Sequence, residues 1–457
     1  MKGKIFSGGT NVMTSGPIGR QLACFALPLL AGSLVQQLYN AVDLVFVGRF
    51  IGKEAAAAVG SSGMMVTCIV GFFTGLSVGV GVVAGKAAGA GDAPRLRRII
   101  HTAAGLTLAA SVLLTAAGWA AAPSILRLMN TPPGLMNGAL AYIRLYLLSL
   151  PSIVSFNVGA GILRALGDSR SPTVCQIIGG LTNVVGNFIF ICLLGWGIRG
   201  AALTTICAQT VAAGLTVRRL CRADEGFRLR IGEVRIERPL CAAILGVGIP
   251  AAVQAIVISL SNLIVQSNIN ALGVDEMAAF TAYYKVETLI YFPIIALGQA
   301  CSAFTSQNIG AAQVERAKRG AKTAIAIGLG VTAATSSLCI VFAAQLFALF
   351  TPDAAVVALG RSMAFVAFPF YFLYVFLEML SSLIRGAGSA FAAMVIVTFN
   401  MCAVRVGVLE CVMRLSPDAA SVAAIYPFTW GCTALCLFIY YKSGRWIPDY
   451  GSGRLGE

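Results

Sequence analysis

Apolar runs of about twenty residues recur twelve times along this chain, separated by short polar or basic segments. That rhythm leaves few folds open. The runs fall near 20–46, 55–83, 99–121, 138–163, 173–195, 198–220, 240–270, 277–305, 322–348, 361–383, 390–413 and 419–441. Each is long enough to cross a bilayer as a helix, the form that satisfies its own backbone hydrogen bonds in lipid. Charged residues make up 11% of the 457-residue chain, against about 25% in soluble domains. An all-α integral membrane protein of about twelve transmembrane helices is therefore predicted.

The net charge of +15 would suit nucleic acid if the basic residues clustered on a polar surface. Instead they sit between the apolar runs, where they orient a membrane protein. With the N-terminus in the cytoplasm, 24 Lys and Arg fall on the cytoplasmic side and 6 outside. Both termini are thus expected to face the cytoplasm, in a plasma (inner) membrane protein with no nucleic-acid partner. No cleavable signal is expected ahead of the first span, which serves as its own insertion signal. The 13 cysteines are scattered singly in apolar stretches, and His101 is the single histidine. Neither a disulfide framework nor a metal site is expected.

The sequence repeats itself. Leu27-Pro28 returns as Ile249-Pro250, an offset of 222. Gly89-Ala90-Gly91-Asp92 returns as Gly310-Ala311-Ala312-Gln313, and Leu163-Arg164-Ala165-Leu166-Gly167 as Ile384-Arg385-Gly386-Ala387-Gly388, both at 221. The repeated unit holds six spans, an even number, so both halves enter the membrane in the same direction. The expected organisation is a six-helix lobe over 1–221, a basic cytoplasmic linker over 222–238, and a second six-helix lobe over 239–457. Two homologous bundles suit a transporter that works by alternating access. Pro28 and Pro250, at matching places in the halves, are candidate hinges, because proline removes a helical hydrogen bond. The arginine-rich stretch 218–238 reads as a topology-setting linker or as a binder of anionic lipid headgroups.

Four carboxylates fall inside spans: Asp43, Glu287, Glu378 and Glu410. A carboxylate in a bilayer must be paired, protonated or turned to a watery cavity, which makes it a candidate for taking up and releasing protons. Gln36, Tyr39, Asn40 and Asp43 share one helical stripe. Asn183 and Asn187 lie one turn apart in the fifth span, able either to hydrogen-bond Asp43 or to hold helices together. Tyr283 lies on the face of Glu287, and Tyr371 and Tyr374 precede Glu378. Carboxylates beside tyrosines suit a cationic, partly aromatic ligand. The alternative is structural pairing of each acid with Lys285 or Arg405. Glu410, close to a span end, is not a candidate. No phosphate-binding loop, metalloprotease motif or channel filter is present, so an ion gradient is the expected energy source and no cofactor is required.

In order and spacing, several segments together resemble the multidrug and toxic compound extrusion (MATE) family. They are Gln36-Gln37-Leu38-Tyr39-Asn40-Ala41-Val42-Asp43, Gly89-Ala90-Gly91-Asp92, Leu163-Arg164-Ala165-Leu166-Gly167-Asp168, Gly200-Ala201-Ala202 with Thr205, Gln307-Asn308-Ile309-Gly310-Ala311 and Arg385-Gly386-Ala387-Gly388. The resemblance covers essentially the whole chain. It implies a two-lobed antiporter, expected as a monomer, that expels cationic or amphipathic compounds in exchange for H⁺ or Na⁺. It also assigns cation coupling to Asp43 with Asn183, Asn187 and Thr205. Where the family usually has a carboxylate, Asn187 carries an amide, which favours H⁺ over Na⁺. Substrate contacts are expected at Gln36, Tyr39, Asn40, Tyr283, Glu287, Tyr374 and Glu378. A flippase for lipid-linked saccharides would need a cavity rich in arginine, and basic residues away from the span ends are few (Arg144, Lys285 and Arg405). A channel or a membrane enzyme is the reading from another class.

Overall fold

The computed structural model describes residues 12–51, 53–128 and 133–448. Their secondary structure is helical throughout, with no strand among them. The helices are α1 (Ile18–Phe46), α2 (Lys53–Gly89), α3 (Ala93–Leu128), α4 (Pro133–Leu148), α5 (Leu150–Ala165), α6 (Arg170–Asn187), α7 (Gly197–Cys221) and α8 (Arg238–Leu272). They continue as α9 (Val274–Gly310), α10 (Val314–Val341), α11 (Ala343–Ala348), α12 (Ala354–Ala367), α13 (Tyr371–Gly386), α14 (Ala390–Thr398), α15 (Arg405–Leu415) and α16 (Ala419–Lys442). Among the described residues, eleven stretches qualify as spans by length and hydropathy, and α4 with α5 forms a twelfth bent by 45°. The expected twelve-helix membrane architecture is the one observed.

The bend has a local cause. Pro151 has no N–H to give to the carbonyl of Leu147, four residues back. Thr115 of α3 donates its hydroxyl to that Leu147 oxygen at 3.2 Å instead, and Ser149 Oγ bonds Tyr146 O at 2.6 Å. In lipid such freed carbonyls need a protein donor, and here a neighbouring helix supplies one. Aspartates start several helices: Asp92 accepts from Arg95 N at 2.9 Å, Asp168 from Ser171 N at 2.9 Å and Asp418 from Ser421 N at 2.9 Å. Each satisfies an amide that the first helical turn leaves open.

The internal repeat reaches the backbone. Gly91 and Gly167 adopt positive φ of 70° and 84°, and their counterparts Ala312 and Gly388 adopt 58° and 100°. The same chain-reversing hydrogen bonds follow: Asp92 N to Ala87 O at 3.1 Å matches Gln313 N to Asn308 O at 2.8 Å, and Asp168 N to Leu163 O at 2.9 Å matches Ser389 N to Ile384 O at 3.1 Å. These are helix ends closed by a left-handed residue. Ala312 is the one non-glycine residue among the described positions in that conformation.

Residue contacts group the described residues into two compact units, one within 28–249 and the other of 13–27 with 250–448. The first is packed around Phe73, Leu76, Val80, Ile99, Tyr142, Ile143, Leu147 and Val154. In it Gly79 meets the backbone of α8 so closely that a methyl group there would sit 2.7 Å from Gly248 N. The second buries Phe280, Tyr283, Phe304, Phe347, Phe368 and Tyr371. There Met13 is clamped by α9: its N–H donates to Gln307 Oε1 at 2.7 Å, and Asn308 Nδ2 donates to its carbonyl at 3.2 Å.

The stretch 218–238 is strapped to the first turns of α3. Arg97 binds Glu233 through Nη2 to Oε1 at 2.6 Å and Nε to Oε2 at 3.1 Å. Arg98 Nε donates to Glu237 at 2.8 Å, and Arg235 Nε donates to the same carboxylate at 3.0 Å. Buried His101 accepts the Arg230 amide on Nε2 at 3.1 Å, so its Nδ1 carries the hydrogen and donates to Arg97 O at 2.7 Å. The arginines hold Glu233 and Glu237 below the usual carboxylate range, chiefly through the Arg97 and Arg98 hydrogen bonds respectively.

Candidate functional site

In the first unit, Asp43 lies near the end of α1, and α6 brings two amides to it. Asn187 Nδ2 donates to Asp43 Oδ1 at 2.7 Å and lies 3.3 Å from Asn183 Oδ1. Both asparagines are buried, at 4% and 0% exposure, whereas Asp43 is half-buried. Gly186 makes the approach of α6 to α7 possible, since a methyl group there would meet Thr204 Cγ2 at 2.8 Å. Thr205 is not drawn into the group by a hydrogen bond; its hydroxyl goes to Ala201 O of its own helix at 3.2 Å. Asn187 Oδ1 is buried and without a partner.

The rest of the expected stripe on α1 divides. Gln36 accepts from Gln176 Nε2 at 2.7 Å, and Tyr39 packs its ring against Gly180, both on α6. Asn40 is exposed and reaches only Gln37, at 3.4 Å. Two residues that sequence reasoning missed join the group. Tyr142 and Tyr146 of α4 stack with ring centroids 6.2 Å apart, each 8% exposed, and Tyr142 lies within electrostatic reach of Asp43. Their four-residue spacing on an otherwise apolar span was the available signal.

The second unit holds two buried carboxylates in an aromatic cluster. Glu287 of α9 accepts a short hydrogen bond from the Tyr371 hydroxyl of α13. Tyr283 is fully buried, stacked on Phe368 with centroids 5.3 Å apart, and its hydroxyl has no partner. Glu378 of α13 accepts from Ser382 Oγ at 3.0 Å and pairs with Arg385 at 3.4 Å. Gly298 of α9 leaves room for it, since a methyl group there would stand 2.5 Å from Glu378 Oε1. Tyr374 packs between Tyr291 and Trp430, with centroids at 5.5 Å and 5.4 Å.

The structural pairing entertained for these acids takes a different form. Lys285 is exposed and forms no ion pair with either acid among the described residues. Arg405, wholly buried, bonds neutral groups: Asn262 Oδ1 at 3.0 Å and Thr429 Oγ1 at 3.2 Å, with its guanidinium 4.7 Å from the Tyr426 ring centre. Glu410 is exposed and bound to Arg414 at 2.9 Å.

Carboxylates set inside helices that cross a bilayer, each bonded by side chains of its own unit, fit a polytopic membrane protein of the transporter class. A family model described as MatE matches residues 28–189 and again 250–409, once for each half and starting at Pro28 and Pro250. The chain belongs to the MatE family. It is 26% identical over 439 residues to Probable multidrug resistance protein YoeA of Bacillus subtilis (strain 168), covering 93% of this chain and 94% of that one. It is 24% identical over 439 residues to Probable multidrug resistance protein NorM of Thermotoga maritima (strain ATCC 43589 / DSM 3109 / JCM 10099 / NBRC 100826 / MSB8), covering 94% and 93%. A solved structure of the outward-facing conformation of a multidrug resistance MATE family transporter of the MOP superfamily superposes with a TM-score of 0.90. It shares 25% identity and covers 96% of this chain and 98% of that one.

Proposed function

We propose that this protein is an ion-coupled antiporter that exports organic cations, drugs or other amphipathic small molecules across the plasma membrane by alternating access. H⁺ is the coupling ion in this reading, ahead of Na⁺. The observation that carries it is the Asn187–Asp43 hydrogen bond of 2.7 Å: one carboxylate, held by an amide instead of a second acid. A single carboxylate takes one proton, whereas a desolvated Na⁺ needs several oxygen ligands and more negative charge. The multidrug resistance relatives support the substrate class. Glu287 and Glu378 among Tyr283, Tyr371 and Tyr374 supply charge and aromatic faces for a cation.

In this reading Asn183 supports Asn187, and Thr205 has a lesser part, because its hydroxyl is committed within its own helix. Pro28 and Pro250 act as hinges, both termini face the cytoplasm, and the working unit is a monomer. One proton yields about 1.4 kcal/mol per pH unit and about 2.3 kcal/mol per 100 mV, enough for a few-hundred-fold gradient of a neutral drug at one pH unit and 100 mV.

The test is uptake of a fluorescent organic cation into proteoliposomes with inside-out protein and an acidic lumen. Uptake is expected to collapse when the pH gradient is dissipated and to be absent in Asp43→Asn that still folds. Uptake by the parent without any H⁺ or Na⁺ gradient would overturn the antiporter reading. Coupled uptake surviving in Asp43→Asn would move coupling to Glu287 or Glu378.

A further inference from the structure

Arg144 of α4 is a cation inside a membrane-crossing stretch that meets no anion among the described residues. Its Nε is buried and has no hydrogen-bond partner, and no carboxylate lies within ion-pair distance among the described residues. Its guanidinium sits 5.3 Å from the centre of the Trp119 ring of α3. Arg385 and Arg405 differ, since the first has Glu378 and the second has Thr429 and Asn262. An unpaired charge on a membrane-crossing helix is costly and calls for a counter-ion.

The direction of Arg144 excludes the inside of the unit. Tyr142 and Tyr146, two residues to either side, are buried in the core of the unit. Positions two apart lie about 200° apart around a helix, so Arg144 emerges on the far side, at the seam with α3. The residues there are open to the bilayer: Trp119 is 40% exposed, Leu148 48% and Val112 67%. The break between α4 and α5 opens a crevice of about 350 Å³ beside them, lined by Val112, Thr115, Ala116, Trp119 and Pro151. Thr115 spends its hydroxyl on Leu147 O, so the wall offers a ligand only hydrocarbon and an indole face.

A cation beside an apolar crevice on a lipid-facing seam fits an amphiphile with an anionic head. We propose that the α3–α4–α5 seam binds an acidic phospholipid, its phosphate on Arg144 and one acyl chain in the crevice against Trp119. Inorganic phosphate would leave the crevice unused, and a zwitterionic lipid would leave the arginine charge uncompensated. The site stands apart from the Asp43 group, so it holds whether or not the transport reading does.

Trp119 reports on the site directly. The full-length protein is placed in nanodiscs of mixed phosphatidylglycerol and phosphatidylcholine, with brominated acyl chains on one lipid or the other. The Trp119 signal is the difference between the parent and W119F, which cancels the other three tryptophans. At equal mole fraction, roughly five-fold stronger quenching by the brominated phosphatidylglycerol is expected, the factor one arginine gives near charged lipid. That preference should vanish in R144Q and persist in R144K. Equal quenching by both lipids in the parent overturns the proposal and leaves Arg144 reaching to the interface unaided. A preference unchanged in R144Q overturns the assignment of the phosphate to Arg144. The parent measurement decides the first point even if R144Q fails to fold.

Discussion

Asn187 donates its side-chain amide to Asp43 across 144 positions of sequence, at 2.7 Å, and leaves its own carbonyl oxygen buried and unpaired. The amide is therefore oriented by the acid: its donor end is used and its acceptor end waits. A protonated Asp43 has a hydrogen to give, and a flipped amide has the oxygen to receive it, so one side chain serves both states of the carboxyl group.

Asn187→Ala removes that partner. A hydrogen bond to a charged group is worth about 1.5–3 kcal/mol, so cation uptake into proteoliposomes should fall roughly ten- to hundred-fold while the protein still elutes as a folded species. Unchanged uptake would separate Asn187 from the coupling step.

Asn187→Asp puts a second carboxylate beside the first. Two acids and the Asn183 carbonyl begin to resemble an oxygen cage for a hard cation. Uptake driven by a Na⁺ gradient alone, absent in the parent, is the expected gain. If the variant folds and still ignores Na⁺, the amide is not what sets the choice of ion.

Tyr371→Phe leaves buried Glu287 without the hydroxyl that now bonds it. A loss of about 1.5–3 kcal/mol is expected, read as a lower thermal midpoint in detergent. Glu287→Gln combined with Tyr371→Phe should lose less than the two single changes added together. Strict additivity would mean the two groups do not act as a pair.

Ala312 holds a left-handed backbone that its repeat partner Gly91 adopts freely. Relief of about 1–2 kcal/mol of strain, less the extra freedom glycine brings to the unfolded chain, leaves Ala312→Gly about 0.5–1 kcal/mol more stable. Gly91→Ala should move the other way, and thermal unfolding of both variants tests the symmetry.

The strap over α3 should release in acid. Glu233 and Glu237 are held below the usual carboxylate range by Arg97 and Arg98. A carboxyl group lowered in the folded state adds stability above its unfolded value, about 4.3, and that stability is lost as pH falls through the lowered folded value. A spin label at Ile231→Cys, on the exposed turn that ends at Glu233, should stay ordered at neutral pH and gain mobility only below about pH 4. Mobility unchanged down to about pH 2 would mean that these two carboxylates do not hold the strap.

The spans were legible because lipid imposes a minimum length of apolar chain, and the repeat was legible because a reversed helix end demands the same small residues twice. Asp43 with Asn183 and Asn187 could be read from helical spacing together with family likeness. The second unit was harder. Sequence grouped Tyr371 with Glu378 because they share a helix, yet the rotation of α13 against α9 turns Tyr371 to Glu287. Arg385, two turns beyond Glu378, is its observed partner; that spacing was available but went unused. Arg144 stood in the sequence only as one of few basic residues within spans, and the placement of Trp119 and the crevice gave its surroundings.

Directly after Asn187 the helix widens into a π turn, Phe188–Leu193, in which Leu194 N reaches back five residues to Ile189 O at 3.0 Å. Such a turn accommodates one residue more than its neighbours. That surplus is slack: passing it along the helix swaps one hydrogen bond at a time and rotates each residue it passes by about 100°. An amide next to stored slack can be re-aimed by rewinding, with the helix on both sides intact. The membrane would then see no broken backbone while the amide changes the group it faces.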